Sequence, residues 1–154
     1  MDKPLGDGVG WTALLAAQTR TGTILLVEDE SEVRRGLAKV LGQMGYTVTS
    51  VPTAEEADHQ MATERFDLLL LDLDLPGMNG REFMRWALER DPQISVVVLT
   101  GLDSPEMAVD CIEAGARTYL VKPVEFDFLR LAVRDALAMR RLLVERQDTR
   151  QLTM

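Results

Sequence analysis

The sequence is poor in cysteine, in histidine, in positive charge and in long apolar runs. Its one cysteine, Cys111, has no disulfide partner within the chain. That suits a reducing cytosol and gives the expectation of a cytoplasmic protein. Lys and Arg number 17 against 25 Asp and Glu, for a formal net charge of -8. Phosphate contacts need clustered cations, so nucleic acid is not the expected ligand of this segment. No apolar run reaches the ~18 residues of a membrane span, so no membrane partner is expected. The opening stretch, MDKPLGDGVGWTALLAAQTR, has one basic residue before a short, interrupted apolar patch. It makes a poor signal peptide. The single histidine, His59, sits on a helical pattern and reads as a solvated surface residue, neither phosphodonor nor metal ligand.

What is present fits one globular domain with a real core: 154 residues, 46% of them hydrophobic. Five short apolar runs recur, at Ile24–Val27, Tyr46–Val51, Phe66–Leu71, Ile94–Leu99 and Thr118–Val121. They read as strands. Helical patterns separate them. Val33, Leu37, Val40, Leu41 and Met44 share one helical face, and Gly45 stops that helix. Thr53 with Glu56 forms a capping box for the next. A third runs from Gly80 to Arg90 and ends at Asp91-Pro92. Ser104-Pro105-Glu106 opens a fourth, on which Cys111 reads as buried packing. A fifth starts near Glu125 and continues to about Gln147. This alternation predicts an α/β protein, a (βα)5 doubly wound parallel sheet with helices on both faces.

The third run, LLLLDLDLPGMNG, ends in two carboxylates. An ionised carboxylate costs several kcal/mol to desolvate unless it is paired or holds a metal. Either the strand ends in water, or a cation sits there. In such sheets ligands bind at the carboxyl ends of the strands. Strand one ends in Glu28-Asp29, strand three in Asp72, strand four in Thr100 and strand five in Lys122. With Asp74 just beyond Asp72, the edge is rich in hard oxygen ligands, which suit Mg²⁺. Lys122 would supply a positive charge opposite. Singly, each has a bland reading, as a helix N-terminal acid, a turn aspartate, a strand-end hydroxyl or a surface lysine. Their convergence on one edge argues for a site.

Taken in order, ILLVEDE (24–30), DLDLPGMNG (72–80), VVVLTG (96–101) and YLVKP (119–123) resemble the receiver domain of two-component response regulators, CheY-like proteins. The resemblance covers roughly residues 22–140. It implies a flavodoxin-like sheet of order 2-1-3-4-5. It implies that Asp72 accepts a phosphoryl group from a sensor histidine kinase or phosphotransfer protein. By the same match Glu28, Asp29, Asp72 and the Asp74 backbone carbonyl serve Mg²⁺, and Thr100 and Lys122 contact the phosphoryl group. Thr100 and the aromatic Tyr119 would switch together. Gly101 leaves the phosphoryl approach open, and Lys122-Pro123 matches a cis peptide. The resemblance implies a signalling protein rather than an enzyme, one that catalyses only its own phosphorylation and dephosphorylation.

Two other readings compete. Asp72-x-Asp74 also resembles the nucleophile motif of haloacid-dehalogenase-type phosphatases. Against that, Pro76 follows where Thr or Val would stand, and the remaining acids lie upstream of the lysine. A receiver-like scaffold that is never phosphorylated is weakened because no member of the set is missing. Asp74 stands where a side chain faces the attacking water, and could orient that water or repel phosphate. Leu102 holds the corresponding place after Thr100 and cannot bond water. Outside the resemblance, residues 1–21 form an N-terminal extension, expected to be flexible, in which Trp11, Leu14, Leu15 and Gln18 could share a helical face. Residues 141–154 form a helical extension or linker, so the chain is read as a stand-alone receiver or the front of a longer regulator. On the fifth helix, Phe126, Leu129, Val133, Ala136 and Leu137 should pack on the sheet. Met139, Leu142, Leu143 and Arg146 continue the stripe past it and invite a homodimer through the extended C-terminal helix.

Overall fold

The computed structural model describes residues 22–101 and 104–153, with side chains described through Arg146. The pattern at Trp11, Leu14, Leu15 and Gln18 and the role of Leu102 lie outside the described residues. Five parallel strands form one sheet: β1 Thr23–Val27, β2 Thr47–Val51, β3 Leu68–Asp72, β4 Ser95–Thr100 and β5 Thr118–Val121. Their order is β2-β1-β3-β4-β5, as expected from the resemblance. The helices are α1 Ser31–Gln43, α2 Ala54–Thr63, α3 Gly80–Arg90, α4 Pro105–Glu113 and α5 Phe126–Thr153.

Parallel strands covered on both faces need apolar side chains at every position. Leu25, Val27, Leu69, Leu71, Val96 and Val98 face a core closed by α2, α3 and α4. Their neighbours Ile24, Leu26, Leu68, Leu70, Val97 and Leu99 face the other core, closed by α1 and α5. Local signals set the helix ends. Thr53 accepts from the Glu56 N–H at 3.1 Å, and Ser104 accepts from the Met107 N–H at 3.1 Å. Asn79 caps α3 by accepting from the Arg81 and Glu82 N–H groups. Gly45, at φ 98°, ends the α1 turn in a conformation that a side chain would strain. Cys111 is buried and His59 is exposed, as their helical positions suggest.

The third and fourth strands are shifted from their apolar runs. Phe66 and Ile94 are buried before pairing begins, whereas Asp72 and Thr100 stay in the ladder opposite Leu99 and Val121. Apolarity reports burial, and backbone pairing extends past it. The last helix also departs from expectation. It runs to Thr153 rather than stopping near Gln147. Leu129, Val133, Ala136 and Leu137 pack on the sheet, but Phe126 is 47% exposed. The first turn of α5 lies at the carboxyl edge, where the strands have ended and no sheet remains beneath it. There Phe126 lines a cleft of about 430 Å³ with Val33, Leu37 and Val124. At the other end, Ser95 Oγ donates to the Ala136 carbonyl at 2.8 Å and ties α5 to β4.

Candidate functional site

The ends of β1, β3 and β5 deliver Glu28, Asp72 and Lys122 to a common point. Asp72 is the last paired residue of the central β3 strand and is fully buried. It does not end in water. Lys122, one residue past β5, places its ammonium 2.8 Å from Asp72 Oδ2 and 3.1 Å from Glu28 Oε1. The other Asp72 oxygen, Oδ1, accepts from the Asp74 N–H at 2.8 Å. Of the two explanations for an acid at the end of an apolar run, the cation is the one realised.

Glu28 follows β1 and is fully buried. Its Oε2 accepts from the Glu30 N–H at 3.1 Å. Its Oε1 lies near Lys122 without a hydrogen bond of good geometry. Burial pushes the Glu28 carboxyl up to about 7, and the nearby Asp72 charge adds to this against the pull of the Glu30 amide and Lys122. Burial acts to lower the Lys122 pKa, but its hydrogen bond to Asp72 and its ion pair with Glu28 outweigh that and raise it. The ammonium therefore stays charged. Asp29 is exposed at the rim, where Arg34 Nη1 donates to the Glu28 carbonyl at 2.9 Å and holds the loop. Arg34 was not singled out in the sequence, because an arginine in the first turn of a helix carries no local signal of this contact.

One ligand atom from each of Glu28, Asp29 and Asp72 can be chosen so that all three lie within 4.8 Å of one another. The set fits a hard divalent cation. It is all carboxylate, open to water at Asp29, and includes a buried oxygen, Glu28 Oε1, whose one neighbour is the Lys122 ammonium at 3.1 Å without hydrogen-bond geometry. The Asp74 side chain makes a contact that the sequence did not suggest. Its Oδ2 accepts from the Gly101 N–H at 2.7 Å and bridges two loops.

Thr100 is buried at the end of β4, and Tyr119 is half-buried on β5 against the α2–α4 core. The register sets Val98 opposite Tyr119 and Thr100 opposite Val121. Thr100 and Tyr119 therefore share a face of neighbouring strands, two residues apart in register. The Lys122-Pro123 peptide is cis, as the resemblance implies. No helix among the described residues is long and apolar enough to cross a membrane.

Comparison with known proteins agrees with this geometry. The family model for the response regulator receiver domain matches residues 24–134. The chain is 41% identical over 127 residues to the alginate biosynthesis transcriptional regulatory protein AlgB of Pseudomonas syringae pv. tomato, covering 82% of this chain and 28% of AlgB. It is 37% identical over 106 residues to the two-component response regulator PhoP of Pseudomonas aeruginosa, covering 69% of this chain and 47% of PhoP. It thus spans under half the length of these curated relatives. A solved CheY-like receiver domain from Methanospirillum hungatei JF-1 superposes with a TM-score of 0.73 at 31% identity, covering 78% of this chain and 96% of that one. With the five-stranded order, the edge cluster and the family match in agreement, the chain belongs to the response regulator receiver domain family.

Proposed function

We propose that Asp72 takes a phosphoryl group from a phosphohistidine on a sensor histidine kinase or phosphotransfer protein. The observation that carries this is the position of Asp72: buried at the end of the central strand, with an ammonium 2.8 Å from one oxygen. A carboxylate oxygen of Asp72 attacks phosphorus, the phosphorus–nitrogen bond to imidazole breaks, and the imidazole leaves with a proton. The product is an acyl phosphate. Such transfer depends mainly on positioning and charge neutralisation. Lys122 supplies a fixed positive charge beside the reacting oxygen. Glu28, Asp29, Asp72 and the Asp74 carbonyl would hold Mg²⁺, which when bound neutralises charge on the transferred group. The chain turns over no other substrate in this reading. Acetyl phosphate with Mg²⁺ should add one phosphoryl group per chain, labile to hydroxylamine, and Asp72→Ala should add none. Stoichiometric labelling of Asp72→Ala contradicts the reading, continuous turnover points to a phosphatase, and no labelling of the wild type points to a scaffold.

Phosphorylation then draws Thr100 toward the phosphoryl oxygens and lets the Tyr119 ring move inward, so that a local charge becomes a new surface. Their shared face supports the coupling. Structures with and without beryllofluoride should differ at these two side chains; identical rotamers count against the switch.

The receiver unit extends over residues 22–140, with residues 1–21 and 141–154 as extensions. Arg140 supports that boundary, because its Nη1 still reaches Asp67 of the domain at 3.1 Å. Beyond it Leu142 is 58% exposed, and with Met139 and Leu143 forms an apolar stripe. A second copy of the same helix would cover it. Sedimentation of the chain against a version ending at Arg140 should show loss of a dimer; two monomers at micromolar concentration contradict the pairing.

A further inference from the structure

Asp74 lies two residues past Asp72, in the loop that follows β3. Its own N–H folds back onto Asp72 Oδ1 at 2.8 Å. Its carboxylate reaches the other way. Oδ2 accepts from the Gly101 N–H at 2.7 Å, a short bond for an amide donor and a contact across 27 residues of sequence. Gly101 follows Thr100 directly. A Cβ on Gly101 would stand 3.3 Å from that same Asp74 oxygen, a tight contact that the glycine avoids.

The Gly101 N–H is thus a backbone donor at the rim of the Asp72 site, next to the buried Thr100. Donors in such places stabilise developing oxyanions. Here the donor is already taken by an anion of the protein. Asp74 is hydrogen-bonded both to Asp72 and to Gly101, so a phosphoryl group arriving on Asp72 would bring negative charge near the Asp74 carboxylate and its bond to the Gly101 N–H. It would compete with the Asp74 carboxylate for one hydrogen and be repelled by it.

We propose that the Asp74 side chain is a latch that holds the Gly101 N–H in the resting protein and must release it before Asp72 carries a phosphoryl group. Asp74 is then a positioning residue that sets how readily the site accepts phosphoryl chemistry. Its carboxylate belongs to the unmodified state, whereas its backbone carbonyl would serve the cation. This rests on the reading of Asp72 as the acceptor.

The test compares wild type, Asp74→Ala and Asp74→Asn as full chains. Asp74 is exposed in a loop, so both variants keep the fold. The first measurement uses metal-free protein and needs no ligand: hydrogen exchange at the Gly101 amide. It should be about three- to tenfold faster in Asp74→Ala than in wild type, the range of a charge-assisted bond at an exposed position, and intermediate in Asp74→Asn, which keeps a neutral acceptor. The second is titration with beryllofluoride and Mg²⁺. Affinity should rise about three- to tenfold in Asp74→Ala and by less in Asp74→Asn. Equal Gly101 exchange in wild type and Asp74→Ala overturns the latch. So does equal affinity of the two variants, because loss of charge alone then explains the gain. A wild type that binds no beryllofluoride overturns the acceptor reading, and the latch with it.

Discussion

The two ends of the sheet each hold a charged cluster, and they are built differently. At the amino edge, Asp67 stands one residue before β3. Its Oδ2 accepts from the Thr23 N–H at 2.9 Å and from Thr23 Oγ1 at 3.1 Å, and its Oδ1 meets Arg140 Nη1 at 3.1 Å. One acid is held by three donors from two elements. At the carboxyl edge, Glu28 and Asp72 share the Lys122 ammonium, and Glu28 Oε1 is left without a good hydrogen bond. The same chain can satisfy a carboxylate fully and does so where nothing else is asked of it. Where the acids are crowded onto one ammonium, the cluster has the composition to take a further cationic partner. The amino-edge acid is partly exposed and each of its oxygens has a donor, whereas the two carboxyl-edge acids are buried and share one ammonium.

That contrast can be broken by substitution. The largest effect is expected for Asp67→Ala, which strands Thr23 and Arg140 and should cost about 1–3 kcal/mol in urea unfolding. A loss below about 0.5 kcal/mol would mean that the amino edge is no better held than an ordinary surface pair. Glu28→Gln should act in the opposite direction. It removes a buried, repelled acid and should stabilise metal-free protein by roughly 1 kcal/mol above pH 7.

The sign of the pH dependence follows from the raised Glu28 value. With a folded pKa of about 7 against 4.5 unfolded, the folded state binds the extra proton between those limits. Its contribution to stability is therefore fully present below pH 4.5 and is lost as pH rises through 7. Glu28→Gln should flatten that fall in EDTA-treated protein; an unchanged slope would show that Glu28 does not titrate there. The smallest effect belongs to Arg140→Met, about 0.5 kcal/mol. Thr23 still holds one Asp67 oxygen, and the Arg140 Nε is itself buried without a partner. A loss as large as that of Asp67→Ala would shift the weight of the amino edge onto α5.

The carboxyl edge was legible in the sequence and the amino edge was not. Glu28, Asp72, Thr100 and Lys122 each interrupt or follow an apolar run, so their positions announce strand ends, and the topology of a parallel sheet brings strand ends together. Asp67 interrupts a run too, but its partners Thr23 and Arg140 lie 44 and 73 residues away and carry no local pattern. Phe126 fits the helical period of Leu129 and Val133. Period alone does not tell where the sheet beneath has ended, and Phe126 lies past that point. The Asp74 side chain was open between two roles, because only the folded loops bring Gly101 within reach.

The most direct test of the account treats Asp72 and Asp67 side by side. Asp72→Asn and Asp67→Asn are each measured for labelling by acetyl phosphate with Mg²⁺ and for unfolding in urea. Asp72→Asn should lose all phosphoryl incorporation and keep or gain stability, while Asp67→Asn should lose stability and still take up one hydroxylamine-labile phosphoryl group when folded. Labelling that survives in Asp72→Asn, or that vanishes in folded Asp67→Asn, would contradict the division between the two edges.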